Sequence, residues 1–271
     1  MQSQNSLNLS NGIFFKLKSS FKKLYKNSNF YEKRISKTFD NNFEYKPSPH
    51  LLSSIIKYQK KKYKIEDFVT ETIWTNNISS KDFKKLNNFF WFFSLDLKSS
   101  KETTQSIILN WINKNEKFDE NIWEFNITAK RIIAWLSNHQ LTYEDSNEEY
   151  RLYFNHMLQK QTNHLLNEIK NLDETEEKLI GCAAIILTGL AYKDEKNYLD
   201  SGLNILKNLI KNSLDKQGFP KSRNIQNLVF YLKYLIIIRE WFKESQNPIP
   251  EYVDETIYYL GSSYAFIWQN I

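Results

Sequence analysis

The chain has 271 residues, 41% apolar and 15% aromatic, with only six Gly and five Pro, a composition that supports a sizeable core and favours helices over a turn-rich β fold. Its net charge of +6 is local: residues 1–46 carry nine Lys and Arg against three Asp and Glu, while the remainder carries 28 of each, so bulk charge dictates no acidic partner for the body. A single cysteine, Cys182, excludes an internal disulfide framework, the apolar run 179–190 is too short to cross a membrane, and no signal-peptide core stands at the N-terminus, so a soluble protein is expected with its compartment open.

Residues 1–46 read as a basic leader, partly disordered, either solvated or able to touch nucleic acid or anionic lipid. Pro47 and Pro49 close it. Residues 50–62 read as a first helix ending in three lysines, and 63–80 as irregular, with Trp74 as an anchor. From Asp82 the pattern becomes one helix after another. Phe83, Leu86, Phe89, Phe90, Phe93 and Leu97 form an apolar stripe at helical spacing. Ile107, Ile108, Trp111 and Ile112 form a second, behind a Ser-Ser-Lys-Glu capping signal. A loop with Phe118 and Trp123 leads to Asn126, read as an N-cap, and to a helix carrying Ile127, Ile132, Ile133, Trp135 and Leu136. Helices follow over 147–171, 176–192 and 196–214, with Cys182 a small core residue.

Residues 218–242, GFPKSRNIQNLVFYLKYLIIIREWF, are a polar turn feeding a helix that is apolar nearly all round. Such a helix is buried, so neighbours must wrap it. Tyr231 and Tyr234 belong to its apolar face and read as core. Lys221, Ser222, Arg223 and Asn224 stand at its N-terminus, where free backbone N–H groups favour anions and where Ser and Asn are also ordinary caps. The last helix, from about 251, runs through Tyr264, Phe266, Ile267 and Trp268 without a Gly stop or a basic final turn, as expected if further chain covers those rings.

Short connections between helices of this length make neighbours antiparallel. Eight helices from residue 82 onward then give four hairpins. The very apolar members, 176–192 and 225–242, alternate with the amphipathic 147–171 and 196–214, as when one set lies inside another. The class is all-α, a closed or open array without a shared repeat motif. No Cys/His cluster or phosphate-binding loop occurs, so no metal site is expected. His50, His139 and His156 have no triad partners in the sequence pattern.

Several blocks in order resemble the N-terminal helical domain of heparinase II/III-like proteins. They are FWFFSLDL at 90–97, LNWINKN at 109–115, Trp123 followed by AKRIIAWL at 129–136, GLAY at 189–192, and QGFPKSRN with its helix ending IIIRE. The resemblance spans roughly residues 74–271. It implies an incomplete (α/α) toroid of antiparallel helical hairpins, alginate-lyase-like, over 47–271, truncated before the β-sandwich domain that shares the cleft in that family. It also implies β-elimination on an acidic, uronate-containing polysaccharide, in which a cation neutralises the sugar carboxylate, a base removes the C5 proton and an acid protonates the leaving oxygen.

Carried over residue by residue, the resemblance points to Arg223 and Asn224 as contacts to the substrate carboxylate. It gives Arg131 either a second contact or a buried structural role. Ser222, Asn163 and His164 are substrate-binding candidates. The chain departs from the family where an Asn-Asn-His group is common, which here reads Thr175, Glu176, Glu177; where a Tyr is common, here Ile225; and where a His is common, here Pro220. Those departures keep open a second expectation, a non-catalytic glycan-binding or assembly protein that retains the toroid. A third is an α-solenoid adaptor using its basic leader on nucleic acid or membrane, although no nucleic acid is expected as partner of the toroid. No cofactor is expected in this chain, and a metal in the β-sandwich half stays open.

Overall fold

A computed structural model describes residues 20–38, 43–48, 51–52, 79–172, 175–192 and 196–269. The regular elements among them are helices: a helical turn over 20–26, α1 (Asn29–Ile35), α2 (Ser80–Asn87), α3 (Lys101–Asn115), α4 (Phe125–Ser137), the short α5 (His139–Thr142), α6 (Glu148–Glu168), α7 (Thr175–Ala191), α8 (Lys196–Ser213), α9 (Ile225–Glu244) and α10 (Glu251–Gln269). The helix over 50–62 and the irregular stretch 63–80 fall almost wholly outside the described residues. No helix among the described residues is long and apolar enough to cross a membrane.

Several starts are fixed by side-chain caps. Ser28, Ser79, Ser100 and Asn147 accept from the backbone N–H of Tyr31, Asp82, Thr103 and Tyr150, each satisfying a donor that the first turn leaves free. Two expected starts differ. The stripe from Phe83 to Leu97 is not one helix: α2 ends at Asn87, Asn88 Oδ1 accepts from Phe90 N, and Phe89 turns left-handed at φ 57° before a 3-10 turn over Phe90–Ser94. That turn drives Phe89 into a cluster of aromatic rings with Phe92, Trp111 and Trp135, and burial offsets the cost of its backbone. Asn126 is not the cap of α4. The cap is Glu124, without a side-chain bond, and the earlier start buries Phe125 against Gly181 of α7.

The centre of the molecule is α7, not α9. Every residue from Leu179 to Tyr192 is buried, because α7 packs against α4, α6, α8 and α9. Helix α9 is covered less completely: Leu228, Tyr231, Leu235, Ile238 and Phe242 are buried, while Val229, Leu232 and Ile236 are half-buried and Lys233 is exposed. Paired contacts give the helix directions. Trp123 meets His164, Arg131 meets Gln161 and Trp135 meets Phe154, so α4 and α6 are antiparallel. Ile169 lies at Gly181 and Thr162 bonds Thr188, so α6 and α7 are antiparallel as well, which leaves α4 and α7 parallel. Gly189 abuts Leu199 and Gly202 abuts Ile186, so α8 runs back along α7. The apolar helices α4, α7 and α9 thus touch one another in succession, and the amphipathic α6 and α8 lie against them.

Part of the basic leader belongs to this body. Tyr31 and Ile35 of α1 are buried, as are Phe43 and Tyr45. At the other end, Tyr258 and Trp268 of α10 are 70% and 73% exposed, so the aromatic character of that helix is not spent on the described core.

Candidate functional site

The turn entering α9 is organised by Asp215. Its carboxylate accepts from the backbone N–H of Phe219 and Gln217 and from the Arg223 guanidinium at 2.7 Å. The Phe219 bond, with the others, holds its carboxyl below the usual range. Gly218 takes φ 75°, and a Cβ there would strike Tyr259 of α10, so the turn needs glycine for both backbone and space. Leu214 and Pro220 close it as an isolated antiparallel bridge.

Arg223 and Asn224 are occupied by this turn. Arg223 is left-handed at φ 57°, paired with Asp215, and lies over the Phe219 ring. Asn224 caps α9, with Oδ1 accepting from Gln226 N at 2.8 Å. Ser222 Oγ accepts from Asn227 Nδ2 and from Asn224 N.

Beside the turn lies a cavity of about 530 Å³. Ile169, Ile205, Leu209 and Pro220 supply its apolar surface, and Asn208, Asn212, Asn227, Ser213, Ser222 and Tyr231 its neutral polar groups. Three lysines line it, Lys170, Lys178 and Lys221, and among the described residues no Asp, Glu, His or Arg does. Lys221 Nζ donates to the carbonyls of Lys211 and Asn212 at 3.3 and 3.0 Å. It thereby covers the C-terminus of α8, whose free carbonyls would otherwise turn negative charge toward the cavity. The field of the Glu176 carboxylate reaches Tyr231, but Glu176 stays out of the lining.

Tyr231 is the unusual member. Its side chain is 1% exposed and its hydroxyl is buried without a hydrogen-bond partner in good geometry. The polar side chain beside it is Ser213, which also lines the cavity. Burial, ahead of every other influence, pushes its phenol up to about 12.

Of the other candidates, Arg131 and His164 are placed in the interior and Asn163 is half-buried. Arg131 is completely buried, donating to Gln161 Oε1, the carbonyls of Asn87 and Ile122, and Thr128 Oγ1, with its guanidinium 4.1 Å from the Trp111 ring centre. Burial pulls its pKa well below the ordinary guanidinium value. His164 is buried between the Tyr31 hydroxyl, which donates to Nδ1 at 2.7 Å, and the Trp123 carbonyl, which accepts from Nε2 at 2.8 Å. Burial lowers its pKa to about 4, in keeping with a neutral ring that donates on one side and accepts on the other. Asn163 fastens the chain after α1, donating to the carbonyls of Ile35 and Lys37 and accepting from the Tyr198 hydroxyl. These three residues hold the fold. Of the site residues that the resemblance points to, only Ser222 lines the cavity, together with Lys221 from the same turn.

His139 pairs with Glu144 and His156 with Thr38, while His50 lies outside the described residues. Among the described residues no three His, Cys, Asp or Glu side chains come together to hold a metal ion. Sequence reasoning missed Lys170 and Lys178 as site residues and read Tyr231 only as core. The lysines come from the end of α6 and the first turns of α7, and nothing in a lysine-rich chain marks those two. No family model, curated protein or solved structure matches this chain.

Proposed function

We propose that this chain is the helical, substrate-binding half of a heparinase II/III-like protein, folded as an incomplete (α/α) toroid, and that it holds an acidic polysaccharide in the cavity between α7, α8 and α9. The observation that carries the reading is the lining: among the described residues it offers three ammonium groups, amides and hydroxyls. A volume of about 530 Å³ suits a ligand of small-molecule size, here a short stretch of a sugar chain. The parallel run of α4 and α7 with α6 against both agrees with an inner and an outer set of helices. The β-sandwich of that family would be the natural partner of this chain.

Binding without cleavage is the primary reading, because Arg223 and Asn224 are used by their own turn and Arg131 has no exposed surface. Cleavage by β-elimination is the second reading, and Tyr231 favours it: a phenol at the wall of a lysine-lined cavity is a group that can protonate a leaving oxygen once a lysine has neutralised the uronate. The test is to titrate uronate-containing polymers onto the protein and follow both binding and the ultraviolet absorbance of an unsaturated uronate product. Binding without product supports the first reading and product formation the second. A folded protein that binds no acidic polymer refutes both.

A further inference from the structure

We infer that the outward face of the leader, formed by the helical turn 20–26 and α1, is a docking surface for an anionic lipid bilayer. The face shares no residue with the lining of the lysine-rich cavity, and the inference does not rest on what that cavity binds. Phe21, Leu24 and Phe30 are 68%, 69% and 69% exposed. Phe21, Leu24 and Tyr25 stand three and four residues apart, on one side of their helical turn, and the Tyr25 ring lies 6.2 Å from that of Phe30. The four form a patch, unlike the single exposed apolar side chains that every surface carries.

The charge around the patch has one sign. Residues 20–38 hold six Lys and Arg against one Glu, and that acid, Glu32, is turned inward onto Lys160. The carboxylates that approach from the body, Glu168 and Glu120, are taken by Lys22 and Lys26 and by Lys23. Lys33, Arg34 and Lys37 are exposed. Lys33 and Arg34 follow Phe30 by three and four residues, on its side of α1, and Arg34 donates to the Tyr25 hydroxyl. Phe and Leu beside Lys and Arg make the face of a helix that lies in a membrane interface: the apolar side chains enter the acyl boundary and the cations meet anionic headgroups.

Other occupants fit this face less well. A second copy of the chain, docked through the same face, would set these cations against one another. Nucleic acid uses cations and the faces of rings and gives Leu24 no place. The inner side of the same element is fastened to the body. Tyr31 and Ile35 are buried, the Tyr31 hydroxyl bonds His164 at 2.7 Å, and Asn163 donates to the carbonyls of Ile35 and Lys37. The patch is therefore held in place before any bilayer arrives, which reduces the ordering cost of docking.

The experiment is cosedimentation of the full chain with vesicles of phosphatidylcholine alone and of phosphatidylcholine with equimolar phosphatidylserine, over a range of salt. The parent chain is expected to bind the charged vesicles and not the neutral ones, and to bind more weakly as salt rises. A triple variant, Phe21→Ser, Leu24→Ser and Phe30→Ser, is expected to lose at least tenfold in affinity, since three exposed apolar side chains no longer leave water. A double variant, Lys33→Gln and Lys37→Gln, is expected to lose about twentyfold, or about fivefold for each cation near the charged surface. The altered side chains are exposed, so both variants should keep the urea midpoint of the parent, and a loss of binding then reads the surface and not the fold. Trp268→Ser, which changes the 73% exposed ring of α10, is the control and should bind as the parent does.

Absent binding to charged vesicles, equal binding to neutral ones, or either leader variant binding like the parent overturns the inference. Loss of binding in Trp268→Ser overturns it too, because the bilayer then meets α10. A duplex oligonucleotide that displaces the vesicles and binds the triple variant as tightly as the parent also overturns it, since the cations then serve nucleic acid and the apolar patch serves nothing.

Discussion

Replacing Gly189 by alanine gives the sharpest test of the packing around α7. In a helix interior the exchange of Gly for Ala ordinarily adds about 1 kcal/mol of stability. At Gly189, however, the new Cβ would lie 2.4 Å from the backbone nitrogen of Leu199 and 2.7 Å from its Cα, about 1 Å inside ordinary contact. Both obstructing atoms are backbone, so no rotamer change relieves them and the α7–α8 pair must separate. Overpacking of this kind costs roughly 1–3 kcal/mol, and the upper end applies where backbone meets backbone. The net expectation is a loss of about 2 kcal/mol. Gly261 in α10 is the matched control, since a Cβ there meets nothing within 4 Å, so Gly261→Ala should gain about 1 kcal/mol from propensity alone. Urea unfolding of the two variants beside the parent chain reads both numbers, with unchanged m-values expected. Shifts of the same sign, or a Gly189→Ala variant as stable as the parent, would refute the close approach of α8 to α7.

The buried histidine makes stability depend on acid. His164 is held at about 4 against about 6.5 unfolded, so its contribution is complete above about pH 6.5 and is lost as pH falls from there through about 4, amounting to about 3 kcal/mol. Unfolding midpoints measured over that window should fall toward acid, and His164→Gln should flatten the slope. Arg131→Ala leaves four acceptors, on Asn87, Ile122, Thr128 and Gln161, without their donor, and should cost about 3 kcal/mol or more of urea stability. A variant that kept its stability and lost only ligand affinity would make Arg131 a ligand contact. Arg223 is largely exposed and its ion pair lies at the surface, so Arg223→Ala should stay within about 1 kcal/mol of the parent by thermal unfolding.

Helices from residue 147 onward are legible because each carries its period, and α6 and α9 carry a start signal as well. Asn147 caps α6 and Asn224 caps α9 where the pattern begins. Phe89 shows what a period cannot encode: its spacing fits a helical stripe, yet Asn88 bonds forward to Phe90 and the chain turns left-handed to reach the Trp111 and Trp135 rings. Tertiary contacts decide that turn, and local propensity does not contain them. The hub was readable in principle, since 179–190 lacks any charged residue, whereas α9 carries Lys233 and Arg239 and keeps a half-exposed side. The site was hardest to read. Lys221 is far along the chain from Lys170 and Lys178, and the three meet only because the turn before α9 packs beside the α6–α7 connection. Arg131, Asn163 and His164 have the residue types of a site, but the bonds they make to other parts of the chain, with burial for Arg131 and His164, make them supports of the fold.

The claim that matters most is that the lysine-lined cavity is where an acidic saccharide binds. It is measured most directly by titrating one acidic polysaccharide onto the parent chain and onto a Lys170→Gln, Lys178→Gln double variant of equal stability, at fixed pH and low salt. The expected result is binding that weakens with added salt and falls at least tenfold in the double variant. Equal affinity of the two proteins, with the same salt dependence, would place the ligand elsewhere and contradict the assignment.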